Sequence, residues 1–326
     1  MIVAMKNKSK IMENETENKI IEELPEVQPV KKNYGLSVSI FISALIIVGG
    51  WIYATGLKNN ASQKETATAS LSDLALTSEE ELLPSEGVIL PVRWGDLGLK
   101  LASAGVIDRQ KFDSIYASRG GISEVDRRLL EETNNGDIRI TSENAGFLLN
   151  LFWALGLGAK NEILENGPMN DSRYGGAGNF ASTGGWTLAQ GNAMDHYSQH
   201  QFFVLTPEQQ QLVEQVSKNI YRPCCDNSTH FPDCNHGMAM LGLLELMASQ
   251  GAKEETMYKA ALQVNAYWFP DTYLTIAQYL ASKGVGWKEA DPKELLGADY
   301  SSGSGYRRIK SQFTAPIQKS GGSCGV

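Results

Sequence analysis

An all-α domain behind one N-terminal transmembrane helix is the fold class this sequence predicts, and three observations predict it. A run of 23 residues from Gly35 to Leu57 carries no charge, and roughly 20 apolar residues suffice to cross a bilayer as a helix. Beyond it, apolar residues recur at spacings of three and four, the period of a helix face. Alternating strand patterns are nearly absent, and no tandem repeat of fixed period is visible.

The elements follow in order. Residues 1–33 hold six Lys and six Glu with Pro25 and Pro29 and too few large apolar side chains to bury a core, so they read as a disordered cytoplasmic tail. The span at 35–57 follows a polar tail of some 30 residues, whereas a cleaved secretory signal begins near the N-terminus with a core of about 7–15 residues. An uncleaved anchor in the membrane lipid is therefore expected. Lys31 and Lys32 abut the span on one side, with Lys6, Lys8, Lys10 and Lys19 upstream, against Lys58 and Lys64 on the other. The positive-inside rule then places the N-terminus in the cytoplasm and the main domain outside it, in a single-pass protein of the cell membrane. Residues 58–86, rich in Ala, Ser, Thr, Asn and Glu, read as a flexible spacer.

Residues 87–310 read as one helical domain. Trp94, Leu97, Leu99 and Leu101, then Phe112, Ile115 and Tyr116, open it at helical spacing. Ser142-Glu143-Asn144 marks the start of a helix through Ala145–Leu155, apolar on nearly every face and so central to a core. Thr206-Pro207 fits an N-cap with proline at the first helical position. Three further helices are expected at Gly237–Ser249, Glu254–Trp268 and Thr272–Ser282. Residues 311–326 read as a flexible glycine-rich tail carrying Cys324.

The chain's net charge of −8 and pI near 5.2 argue against a nucleic-acid partner, which needs clustered Lys and Arg. Chemistry concentrates elsewhere. Three of the four cysteines and all four histidines fall between His196 and His236, about one-eighth of the 326 residues. Thiolates and imidazoles are the donors that hold zinc and copper. Cys224, Cys225, Cys234 and His236 form the stronger half, in a loop bounded by Pro223 and Pro232 that leads into a helix. Cys234 and His236 are expected at that helix's N-terminus, where free amides and the helix dipole favour a thiolate. His196 and His200, four apart, would share one face of a helix, and with His230 they complete or border the site. Tyr197 stands where a zinc-peptidase helix carries its glutamate, so that reading lacks its general base.

The predicted activity is the holding, sensing or delivery of zinc or copper, with a metal-donor or metal-acceptor protein as partner; no motif names a reaction. Thiol–disulfide chemistry at Cys224–Cys225 and a scaffold with structural disulfides are the alternatives, the extracytoplasmic setting permitting both. Met238 and Met240 read as core filler, or as soft copper-binding thioethers. Tyr174–Trp186, rich in glycine, either cradles a ligand or packs on the cysteine loop. Asp233 and Asp195 read as helix caps or as carboxylates that orient ligands.

Overall fold

Leu90, Val92 and Trp94 alternate with Pro91 and Arg93, and a strand results where a helix was expected. In the computed structural model of the chain, which describes residues 79–312, β1 spans Val88–Gly95 and β2 spans Asn135–Ile140. They pair antiparallel, Val88 opposite Ile140 and Gly95 opposite Asn135, with an irregularity between Ile89 and Arg93. Leu90, Val92, Trp94, Ile138 and Ile140 bury the inner face of this ribbon. It corrects the all-α expectation to mostly α. Trp94, Leu97 and Leu101 also satisfy helical spacing, which hides the period-2 signal in so short a run.

The remainder is helical. Helices α1 (Leu97–Ser103), α2 (Arg109–Ala117) and α3 (Glu124–Glu131) lie between the two strands in the sequence, and the core helix α4 covers Ala145–Gly158. Two short helices follow, α5 (Glu162–Asn166) and α6 (Ala181–Gly184). Then come α7 (Pro207–Asn219), α8 (Asn235–Ser249), α9 (Glu254–Trp268) and α10 (Pro270–Ser282), close to the expected bounds. Thr206 caps α7 in a reciprocal box: its hydroxyl accepts from the Gln209 amide, and the Gln209 side chain accepts from the Thr206 amide. Three small helices close the described chain, α11 (Pro292–Leu295), α12 (Ala298–Ser301) and α13 (Gly303–Gln312).

Helices α4 and α8 pack along each other at the centre, and both are buried on nearly all sides. Gly156 and Gly242 make this possible. A Cβ on Gly242 would lie 2.5 Å from the Gly156 nitrogen and from the Phe152 carbonyl oxygen, and one on Gly156 would lie 2.1 Å from the Met238 carbonyl oxygen. The two backbones thus touch where glycine removes the side chain. Met238 and Met240 lie within this core, which fits the filler reading of both.

Among the described residues no helix is long and apolar enough to cross a membrane; the span at 35–57, the tail at 1–33 and Cys324 lie outside them. The last part of the expected spacer is packed. Leu82 is fully buried, and Gln263 and Tyr267 of α9 donate hydrogen bonds to the Leu82 and Pro84 carbonyls.

Two measurements follow from the central pair. Gly242→Ala forces the backbones apart, an overpacking that costs about 1–3 kcal/mol; unchanged denaturant unfolding would contradict the close crossing. Glu245 of α8 is fully buried and neither of its carboxyl oxygens has a hydrogen-bond partner among the described residues, so burial raises its pKa well above 4.5. The folded state then binds a proton that the unfolded chain gives up above pH 4.5, so this contribution to stability is full below that pH and declines as pH rises. Glu245→Gln should flatten that decline in pH-dependent unfolding and raise stability at neutral pH.

Candidate metal centre

The cysteine loop connects α7 to α8 and is tied down along its length. The Tyr221 amide donates to the Leu296 carbonyl, Thr229 to Ile220, His230 to Ser217 and Gly303 to Cys225. Asn265 of α9 donates from Nδ2 to the Tyr221 carbonyl at 3.0 Å, and the Ser304 amide donates to Asp226 Oδ1 at 2.6 Å. Four helices therefore fix where the thiols stand.

At the loop's end Cys234 occupies the N-cap of α8, and His236 stands in the first turn, as the sequence predicts. Cys224 Sγ lies 3.5 Å from Cys234 Sγ and 3.9 Å from His236 Nδ1. In a tetrahedral zinc site, bonds of about 2.3 Å to sulfur and 2.0–2.1 Å to nitrogen place neighbouring donors about 3.6–3.8 Å apart. The spacing is that of donors around one ion. A second grouping shares Cys234: the ligand atoms of Cys225, Asp233 and Cys234 lie within 4.8 Å of one another. Cys224, Cys225, Cys234, His236 and Asp233 thus form a cluster within metal-binding distance, and the three cysteines are free rather than disulfide-bonded.

Beneath the cluster lies Arg222, only 1 % exposed. Its Nε donates to Cys234 Sγ at 3.0 Å, its Nη1 to the Asn227 carbonyl at 2.9 Å, and its Nη2 to the Phe231 carbonyl at 3.0 Å and to Asp233 Oδ1 at 2.6 Å. Asn227 Nδ2 donates to the other Asp233 oxygen at 2.8 Å. Asp233 therefore does not cap α8, as one sequence reading has it; it neutralises the buried arginine. Burial pulls the Asp233 carboxyl upward and the Arg222 charge opposes it. Cys234 is held well below the ordinary thiol range, first by hydrogen bonds from Cys224 and Cys225 and then by the Arg222 charge. Cys224 is pushed up in turn, because it donates to Cys225 and Cys234. Of the three thiols, Cys234 is the one whose surroundings favour the thiolate.

Surrounding side chains wall the site. The His236 ring packs on Phe269 and Trp268, at centroid distances of 4.4 and 5.6 Å, so the aromatic run at 267–273 both fills core and flanks the ligand. The glycine-rich segment takes the packing role: the Ser182 amide donates to the Asp233 carbonyl, and Tyr174 and Phe180 pack on Phe231.

The other histidines stand apart from these groupings. His196 and His200 do meet, but not on a helix. A short turn over Ala193–Asp195 is closed by an Asn192–Asp195 capping box, the chain reverses at Ser198 with φ of +56°, and His200 bridges to Ala159. The box interrupts the helical rise that a four-residue spacing presumes. Nδ1 of His196 lies 3.0 Å from Nε2 of His200, and Nε2 of His196 lies 2.8 Å from the Gln190 carbonyl oxygen. Burial and then His196 lower the pKa of His200, which favours its neutral form. His230 has a buried Nδ1 without a hydrogen-bond partner among the described residues, and its charged neighbours are Lys218 and Glu214 of α7. Asp195 accepts from the Asn192 amide in its box, as a cap. A surface cleft of about 400 Å³ beside Lys160, Asn161, Phe203 and Gln210 shares no lining residue with the cysteine loop.

Arg222 is the residue that sequence reasoning misses. Its partners are two loop carbonyls, a thiol and a carboxylate brought in by folding, and nothing in Tyr221-Arg222-Pro223 marks it as buried. Gly237 is missed with it, since a Cβ there would lie 2.5 Å from Arg222 Nη2.

Arg222→Ala strands the partly buried Asp233 carboxylate, and breaking such a pair costs about 3 kcal/mol. Adding Asp233→Asn should recover part of the loss in denaturant unfolding; equal instability of the single and double variants would contradict the pairing.

No protein-family model matches the chain, nor does any curated protein or any solved structure.

Proposed function

We propose that the chain is a single-pass membrane protein whose helical domain, outside the cytoplasm, holds a thiophilic transition metal, zinc or copper, at the cluster where Cys224, Cys234 and His236 converge beside Cys225 and Asp233, in order to store, sense or pass it on. One observation carries this reading: two thiols and an imidazole converge at 3.5 and 3.9 Å without a disulfide. Thiols and imidazole at tetrahedral spacing are the donor set of zinc and of soft transition metals. The location rests on the uncharged run Gly35–Leu57 and on the lysines before it. A role in holding or delivery implies a protein that gives or takes the ion.

The same 3.5 Å sulfur contact favours a second reading, thiol–disulfide exchange. Cys224 and Cys234 would lose two protons and two electrons to an acceptor disulfide, which becomes two thiols.

Elemental analysis and thiol counting separate the two on the full-length chain in detergent, purified without chelators. Metal near one ion per chain, lost on Cys224→Ser/Cys234→Ser, with all thiols titratable after denaturation, is the expected result. Metal-free protein with Cys224 and Cys234 oxidised would overturn the metal reading and leave exchange. Because ligand thiols must lose their protons to bind, affinity should also fall steeply as pH is lowered.

A further inference from the structure

The number of ligands, rather than the presence of a site, is the question the geometry answers next. Cys225 does not join the grouping of Cys224, Cys234 and His236; the only ligand grouping that includes it among the described residues is with Asp233 and Cys234. Its Sγ lies 3.9 Å from the Asn227 carbonyl oxygen. The space on that side of Cys234 is also held by a cation already. Arg222 donates to both Cys234 Sγ and Asp233 Oδ1, at 3.0 and 2.6 Å, so a second ion among Cys225, Asp233 and Cys234 would meet the guanidinium.

Resting on the metal reading above, we infer that the site binds one divalent ion through Cys224, Cys234 and His236 alone and leaves a fourth position open to a water molecule or a small exogenous anion or thiolate. Charge supports the count. Arg222 and Asp233 cancel, and two ligand thiolates are neutralised by one divalent ion, whereas a monovalent ion leaves a net negative charge in a partly buried site. Three protein ligands plus an exchangeable fourth are the arrangement of zinc sites that act on something, while four protein ligands close a structural site. Exposure agrees, since Cys224 is at the surface while His236 is buried, so the ligand triangle reaches solvent at one corner. An open position is also what transfer of an ion by ligand exchange requires.

Cobalt(II) tests this on the full-length chain in detergent, because its visible spectrum reports ligand number and sulfur content. The wild type and Cys225→Ser should each bind one cobalt with the same sulfur-to-cobalt charge-transfer intensity, and Cys224→Ser should lose about half of it, one of two sulfur ligands. Sodium azide added to the wild type should shift the ligand-field bands. Loss of a third of the intensity in Cys225→Ser, or wild-type bands indifferent to azide, would overturn the open three-ligand site while leaving metal binding intact. A wild type that binds no cobalt, zinc or copper would overturn the metal reading itself, and the inference with it.

Discussion

Two glycines set the frame on which the cysteine cluster rests. Because Gly156 and Gly242 carry no side chain, α4 and α8 touch backbone to backbone, and α8 is fixed deep in the core along almost its whole length. Its N-terminal turn, with Cys234 at the cap and His236 just inside, is then rigid. Cys224 comes to it from a loop that α7 and the α11–α13 segment hold by backbone hydrogen bonds and α9 by the Asn265 side chain. Packing in the core thereby becomes the spacing between donors, and a rigid support of that kind is what ligand precision demands.

Electrostatics supplies the second half. A thiolate beside a helix N-terminus is stabilised by the dipole and the free amides, and here a buried guanidinium adds a hydrogen bond to the same sulfur. Arg222 is buried at a cost that its four hydrogen bonds and the Asp233 carboxylate offset. Gly237, in the first turn of α8, leaves the room in which that guanidinium lies flat. Arg222, lying in the room that Gly237 leaves, thus biases Cys234 toward the charged form that binds metal.

Long apolar elements were legible because their pattern is redundant. Helix α9 runs from Glu254 to Trp268 as expected, and α7 begins at the expected Thr206–Pro207 cap. The β1–β2 ribbon was not, since Leu90, Val92 and Trp94 give only three turns of alternation and overlap a helical spacing. At the site, clustering of Cys224, Cys225, Cys234 and His236 in the chain carried over into space because one loop and one helix end bring them together. His196 and His200 met for a different reason than a helix face, and His230 turned toward α7, because local hydrogen bonds at Asn192, Asp195 and Ser217 decide those backbones. Arg222 left no trace in the pattern, as its burial depends wholly on carbonyls and side chains that folding brings to it.

X-ray absorption at the metal edge of the full-length protein, isolated with whatever ion it carries, reads the ligand sphere directly. Two sulfur scatterers at about 2.3 Å and nitrogen or oxygen at about 2.0–2.1 Å are expected for zinc at Cys224, Cys234 and His236. An ion without sulfur in its first shell, or protein that carries no ion while its thiols stay reduced, would contradict a metal centre at the head of α8.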